Sequence, residues 1–437
     1  MLNKNEVKYT ISIIMKIAFP DYLFEFKDYN EIIFNGYNIH FNLMNKEKQS
    51  KLINGKLSYY LIKNVTDEFD IPIFLCKQIL TKENKNIIIN PDIITLPFLL
   101  LSRKEEQLIN NFDSHGRFLF KGSLSDIYNI IDFPIVDEYA FLLRKELNRY
   151  LNIPINTKKT NLYLTHDVDN LFRFYSPLKS FKSIFGGDLI LRKNFKIFIK
   201  SLHDYVSFKK DKMNDPGIKA LYKLMNVSKM YNYKSHFFFL CYNIGDDDFR
   251  YNIFDSRVKK IITELINNNM IIGLHAGKNA GCNNKNFTKQ LSNLKNYVKN
   301  IEENRNHYLM YNSIETVNIL ETNNIKMDYT LGYRERIGFK CGTSYDYPLY
   351  NFTKDKISKV IERPLIVMDV TLKENMKLNY KESVEKVIKL YKRVKNVNGN
   401  FTILWHPDSV VREWEPWFNN VYLKILEEIS NENNYNS

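Results

Sequence analysis

The sequence predicts an α/β fold. A barrel-like array of parallel strands and crossover helices is expected over residues 156–437, after a smaller α/β domain over 1–155. Two observations predict it. Beyond residue 160, short apolar runs alternate with stretches whose apolar residues recur every three or four positions. Those apolar runs end in polar residues, as in a barrel with its site at the C-terminal rim. Between the two domains, Asn152 to Asn161, with Pro154, Lys158 and Lys159, reads as a linker.

Taken in order, Asn86–Asn90 is a short strand of the first domain. Val136–Leu151 is a helix, with Tyr139, Leu142, Leu143, Leu147 and Leu151 near helical spacing. In the second domain the expected strands are Leu162–His166, His236–Cys241, Met270–His275, Ile325–Tyr329, Leu365–Val370 and Phe401–His406. Helices fall between them. Ile218, Leu221, Leu224 and Met225 mark one; Phe287, Leu291, Leu294, Val298 and Ile301 mark another. Ile314, Val317 and Leu320 mark a third, with Asn312 and Glu315 as a capping box. Val384, Val387, Leu390 and Val394 mark a fourth. Residues 170–216 break the rhythm. They are rich in Phe, Lys and Arg, and read either as helices packed over the mouth of the barrel or as a lid or basic-aromatic surface for glycan or lipid headgroups.

The chain has 437 residues, enough for two domains and a large core. At 44% hydrophobic and 14% aromatic it is globular, not disordered. A net charge of +14, from 63 basic and 49 acidic residues, describes a solvated Lys-rich surface or attraction to a polyanion. No nucleic-acid-binding signature accompanies it, so no nucleic acid is expected as partner. Cys76, Cys241, Cys282 and Cys341 are scattered without a C-x-x-C pair, which suits reduced thiols and a cytoplasmic location. Ile11 to Ala18 is short and interrupted by Ser12 and Lys16, unlike a secretory signal. No run approaches the length of a membrane span; peripheral membrane contact stays open.

The densest chemistry is Leu162-Tyr-Leu-Thr-His-Asp-Val-Asp169. On a strand, Asp167 and Asp169 point to the same side, and two like charges that close call for a cation or a shared proton. The chain has eight histidines, and His275, His307 and His406 sit at or just beyond element ends near that rim. An Asp with two His suits zinc or another divalent transition metal, leaving positions for water and substrate. A nearby carboxylate to take a proton and a further His to give one complete a kit for amide or ester hydrolysis.

The order Thr165-His-Asp-Val-Asp169, Gly273-Leu-His275, Arg305-x-His-Tyr-Leu309, Tyr329-x-Leu-Gly332, Gly338-Phe-Lys-x-Gly-Thr343, Pro364-Leu-Ile-Val-Met-Asp369 and Leu404-Trp-His406 resembles the polysaccharide deacetylases, the NodB-homology group of carbohydrate esterases, family four. It resembles most a branch with a Thr-His-Asp-Val-Asp first motif, over roughly residues 160 to 410. Leu101-Ser-Arg-Lys-Glu-Glu106 and Asp113-Ser-His-Gly-Arg-Phe118 resemble the upstream domain of that branch. The resemblance implies a distorted (β/α) barrel and metal-dependent removal of N- or O-acetyl groups from a sugar or polysaccharide precursor.

Carried over by residue, Asp167 resembles the catalytic base, Asp169 and His275 metal ligands, and His406 the general acid. The family commonly has adjacent aspartates, so the roles of Asp167 and Asp169 stand open to exchange. Residues 276–281 lack the family's second metal histidine, and His307 is the substitute third ligand. An arginine that braces the base in the family corresponds to Lys340, with Arg334 or Arg336 as compensation. Asp369 is expected to orient Lys340 or His406, and Trp405 and Tyr333 to stack on a sugar or pack at the rim. Two rival readings are a metal amidase acting on a non-sugar C–N bond and a catalytically silent glycan-binding protein.

Overall fold

A computed structural model describes residues 2–63, 70–74, 78–154, 159–175, 180–191, 194–242 and 249–434. The fold is mixed α/β, and its contacts divide it into two compact units. One holds Met1–Asn161, Leu309–Ile366 and Leu390–Phe401; the other holds Leu162–Tyr308, Val367–Lys389 and Thr402–Ser437. The middle of the expected linker, residues 155–158, and Cys76 lie outside the described residues. No described helix is long and apolar enough to cross a membrane.

The first unit joins the N-terminal third of the chain to a segment far along it. Its five-stranded sheet runs in the order Glu25–Asp28, Glu31–Phe34, Tyr37–Phe41, Asn86–Ile89, Leu80–Glu83. Helix Lys4–Ala18 buries most of its side chains, and helix Ile135–Leu151 is buried at every position through Leu143. Polar contacts then reach across the sequence. Tyr9 donates to the carbonyl of Pro348 at 2.8 Å, and Tyr347 to that of Leu101 at 2.9 Å. Buried Asp137 accepts from the hydroxyls of Thr343 and Ser344 and from the Ser344 N–H at 2.8 Å. The Leu101–Glu106 motif is a buried ion network: Arg103 lies 2.5 Å from Glu105 and 3.0 Å from Glu106. The strand expected at Ile325–Tyr329 shortens to Met327–Asp328 and pairs in parallel with Lys356–Glu362. An antiparallel pair, Tyr347–Asn351 with Lys356–Glu362, was not expected.

The second unit brings five of the six strands read from the sequence together with one that was not expected, Glu303–Asn306. Its strands are β1 (Asn161–Val168), β2 (His236–Leu240), β3 (Ile271–Ala276), β4 (Glu303–Asn306), β5 (Val367–Met368) and β6 (Asn400–Leu404). They lie side by side in the order β4-β3-β2-β1-β6-β5. β1 with β2, β2 with β3, β3 with β4 and β5 with β6 pair in parallel. Parallel strands are covered on both faces, and β2, His-Phe-Phe-Phe-Leu, is buried at every position. The crossover helices include α1 (Phe195–Lys210), α2 (Pro216–Met230), α3 (Ser256–Asn267) and α4 (Asn284–Lys295). Each starts on an Asn or Asp whose side chain accepts a first-turn N–H: Asn194, Asp215, Asp255 and Asn283. Helix α4 ends at Lys295, short of the expected Val298 and Ile301.

Candidate active site

Strand β1 aims Thr165 and Asp167 to one side, and Asp169 follows just past its end. His166, on the other side, donates from Nδ1 to the Trp405 carbonyl at 2.8 Å; a carbonyl only accepts, so that nitrogen carries the proton. Burial pushes the His166 pKa down to about 4, so it stays neutral.

Strand β4 supplies the cation for Asp167. Arg305 Nη1 donates to Asp167 Oδ1 at 2.8 Å and to Thr165 Oγ1 at 2.9 Å. Its guanidinium lies over the Phe238 ring, 4.9 Å from the centroid. Burial alone would raise the Asp167 pKa; Arg305, then His275 and His406, hold it below the usual carboxylate range. Asp167 is therefore an ionised, buried carboxylate beside Asp169.

His275, at the end of β3, pairs with Arg305 across the strands, and its Nδ1 donates to the Arg305 carbonyl at 2.8 Å. This fixes the tautomer: the lone pair sits on Nε2, aimed at Asp169 Oδ1 3.2 Å away. Neither atom makes a hydrogen bond. Two acceptors face each other, which is repulsive unless a cation, proton or metal, lies between them. His307 adds a third donor, with Nε2 3.7 Å from Asp169 Oδ2. One ligand atom from each of Asp169, His275 and His307 falls within 4.8 Å of the others. This N/O set fits a divalent transition metal with open positions. The Tyr308 ring stacks on His307 at 3.9 Å, from a left-handed backbone with φ of 59°.

His406, just past β6, faces the same carboxylate, Nε2 to Asp169 Oδ2 at 3.9 Å. Asp369, just past β5, grips it twice, accepting from His406 Nδ1 and from its backbone N–H at 2.8 Å each. Burial would lower the His406 pKa; the charge and hydrogen bond of Asp369, then Asp169 and Asp167, push it up to about 10. His406 is a held imidazolium opposite an ionised Asp167.

Residues 2–152 match a family of unknown function, DUF7033. A comparison with curated proteins gave no match. Among solved structures the chain is similar to a "putative polysaccharide deacetylase from Mycobacterium smegmatis", at 14% identity and a TM-score of 0.40, over 64% of this chain and 86% of that one.

The remaining expected site residues are Lys340, Tyr333 and Trp405. Lys340 belongs to the first unit, where its Nζ is 3.4 Å from Glu106; the cation on Asp167 is Arg305. Tyr333, also in the first unit, is buried with Phe118 and Ile131. Trp405 is fully buried, its Nε1 donating to the Ser409 carbonyl at 3.1 Å and its ring against Tyr422. Buried rings have no face left for a sugar, which corrects the stacking expectation for both. Arg305 is the member of this cluster that sequence reading left without a role. The signal was its spacing: Arg305 and His307 are two apart, hence on one side of an extended segment.

Proposed function

We propose that this chain is a metal-dependent carbohydrate deacetylase, removing an N- or O-acetyl group from a sugar of a surface polysaccharide or its precursor. The observation that carries the reading is the pair of facing acceptors, Asp169 Oδ1 and His275 Nε2, set between an ionised Asp167 and a protonated His406. Asp169, His275 and His307 hold the metal in this reading, with zinc as the ion their donors suit best. When bound, such an ion supplies Lewis acidity to an acetyl carbonyl and lowers the pKa of a water to about 7.

The chain's own residues do the rest. Asp167 accepts the proton of the attacking water, and Arg305 keeps it ionised and aligned. His406 donates a proton from Nε2 to the departing sugar nitrogen or oxygen, while Asp369 holds its other nitrogen. Bracing of the base therefore passes from Lys340 to Arg305, and Asp369 orients His406. The motifs around Asp167, His275 and His406 favour an acetylated sugar over another amide.

Zinc-loaded protein is expected to release acetate from acetylated amino-sugar oligomers. Asp169→Ala and His275→Ala are expected to lose the metal, and Asp167→Asn to keep it while kcat falls by about 100-fold or more. A wild-type protein that takes up no divalent metal and releases no acetate overturns the reading. Metal affinity unchanged in His307→Ala removes His307 from the ligand set.

A further inference from the structure

Helix α1 carries apolar side chains on two faces. One packs inward: Phe198 is buried with Phe174 and Ile184, and Leu202, Tyr205 and Phe208 lie against that cluster. The other is in water: Phe195 is 66% exposed, Ile199 48% and Val206 55%. At 100° per residue these three fall within an arc of about 40°. Lys210, His203 and Lys196 come next around the helix, all exposed. The helix has four lysines against one acidic residue, Asp204. Phe181 and Ile190, in the segment before the helix, are 59% and 66% exposed, and Phe181 stacks on Phe185, which meets Phe198 of the helix.

An outward apolar stripe bordered by lysines is the pattern of a helix that lies in a lipid headgroup layer. Its apolar stripe enters the acyl boundary and its lysines reach anionic headgroups. We propose that α1, with Phe181 and Ile190, docks this protein on an anionic lipid bilayer. The segment is tied to the candidate site. Asp188, buried on that preceding segment, accepts from Ser201 of α1 at 2.6 Å and from Arg173 at 2.5 Å, and also pairs with Arg412. Both arginines line a cavity of about 320 Å³ that begins at Asn170, the neighbour of Asp169, and includes Asp408, two residues beyond His406. Docking would bring that cavity to the membrane surface, where a lipid-linked sugar is presented. Charge complementarity favours an anionic bilayer over a second copy of this chain, whose net charge is +14.

Vesicle binding reads this without reference to catalysis, so it fails or stands apart from the deacetylase reading. The full-length chain is mixed with vesicles of phosphatidylcholine alone and of an equal mixture with phosphatidylglycerol. Sedimentation with the mixed vesicles is expected, weakening as salt rises. Phe195→Ser with Ile199→Ser is expected to cut binding about tenfold or more at an unchanged unfolding midpoint. Lys196→Glu with Lys210→Glu is expected to abolish the preference for anionic vesicles. Phe195→Trp is expected to gain a blue-shifted emission on the mixed vesicles. No sedimentation of wild type with either vesicle overturns the proposal, as does equal binding by the serine variant. An oligomer of the wild-type chain that the serine variant dissolves assigns the stripe to self-contact and also overturns it.

Discussion

Single residues divide the work of this site by what each side chain can and cannot accept. His406 differs from His166 only in its surroundings: a carboxylate on Nδ1 keeps one charged, and a carbonyl with burial keeps the other neutral. The pH dependence follows from that difference. The pKa of His406 is raised, so the protonated acid persists through neutral pH and is lost as pH climbs toward about 10. Asp369→Asn removes the largest raising influence. The alkaline limb of the kcat profile is expected to move to lower pH, with KM little changed; an unmoved limb would mean that another group titrates there. This part of the site was legible in the sequence because Asp167, Asp169, His275 and His406 all stand at the ends of apolar runs. Arg305 was not, because its strand has no apolar run to announce it.

At the scale of elements, β4 shows why. Its sequence, Glu-Asn-Arg-Asn, reads as a loop by any hydrophobic pattern, yet three of its four residues are buried. Buried polar groups are tolerated where they are paired, and here the pairing is with Thr165 and Asp167 on β1. Hydrophobic periodicity detects strands that bury carbon; it is blind to one that buries a charge for use. The neighbouring strand is shaped to match. A Cβ on Gly273 would lie 2.5 Å from the Phe238 ring, the ring beneath Arg305. Gly273→Ala is expected to cost about 1–3 kcal/mol by pushing that ring and the guanidinium above it. Phe238→Leu in the same chain should recover much of the loss in a denaturant melt. Additive losses would show instead that the alanine strains the backbone.

Over the whole molecule, strand-helix alternation was legible, whereas the membership of residues 309–366 was not. That segment shares its unit with the N-terminal third through buried polar contacts such as Asp137 with Thr343 and Ser344. Contacts between residues some 200 positions apart leave no local pattern. Burial pushes the Asp137 carboxyl up to about 7, so the folded state holds a proton that the unfolded chain releases near its ordinary value. The stability this contributes is whole in acid and is lost as pH rises through about 7, with a slope of at most about 1.4 kcal/mol per pH unit. Asp137→Asn is expected to flatten that stretch of the stability curve in denaturant titrations; an unchanged slope would place the proton elsewhere.

Arg305 meets its two neighbours through different parts of itself. Its backbone oxygen sets the His275 tautomer, and its side chain sets the charge state of Asp167. Every amino acid brings the first; only a cationic side chain brings the second. Position 305 is thus a dial for the proton affinity of Asp167, separate from the candidate ligands Asp169, His275 and His307. In the proposed reading, substitution there is expected to retune the pH optimum while Asp169, His275 and His307 keep their places.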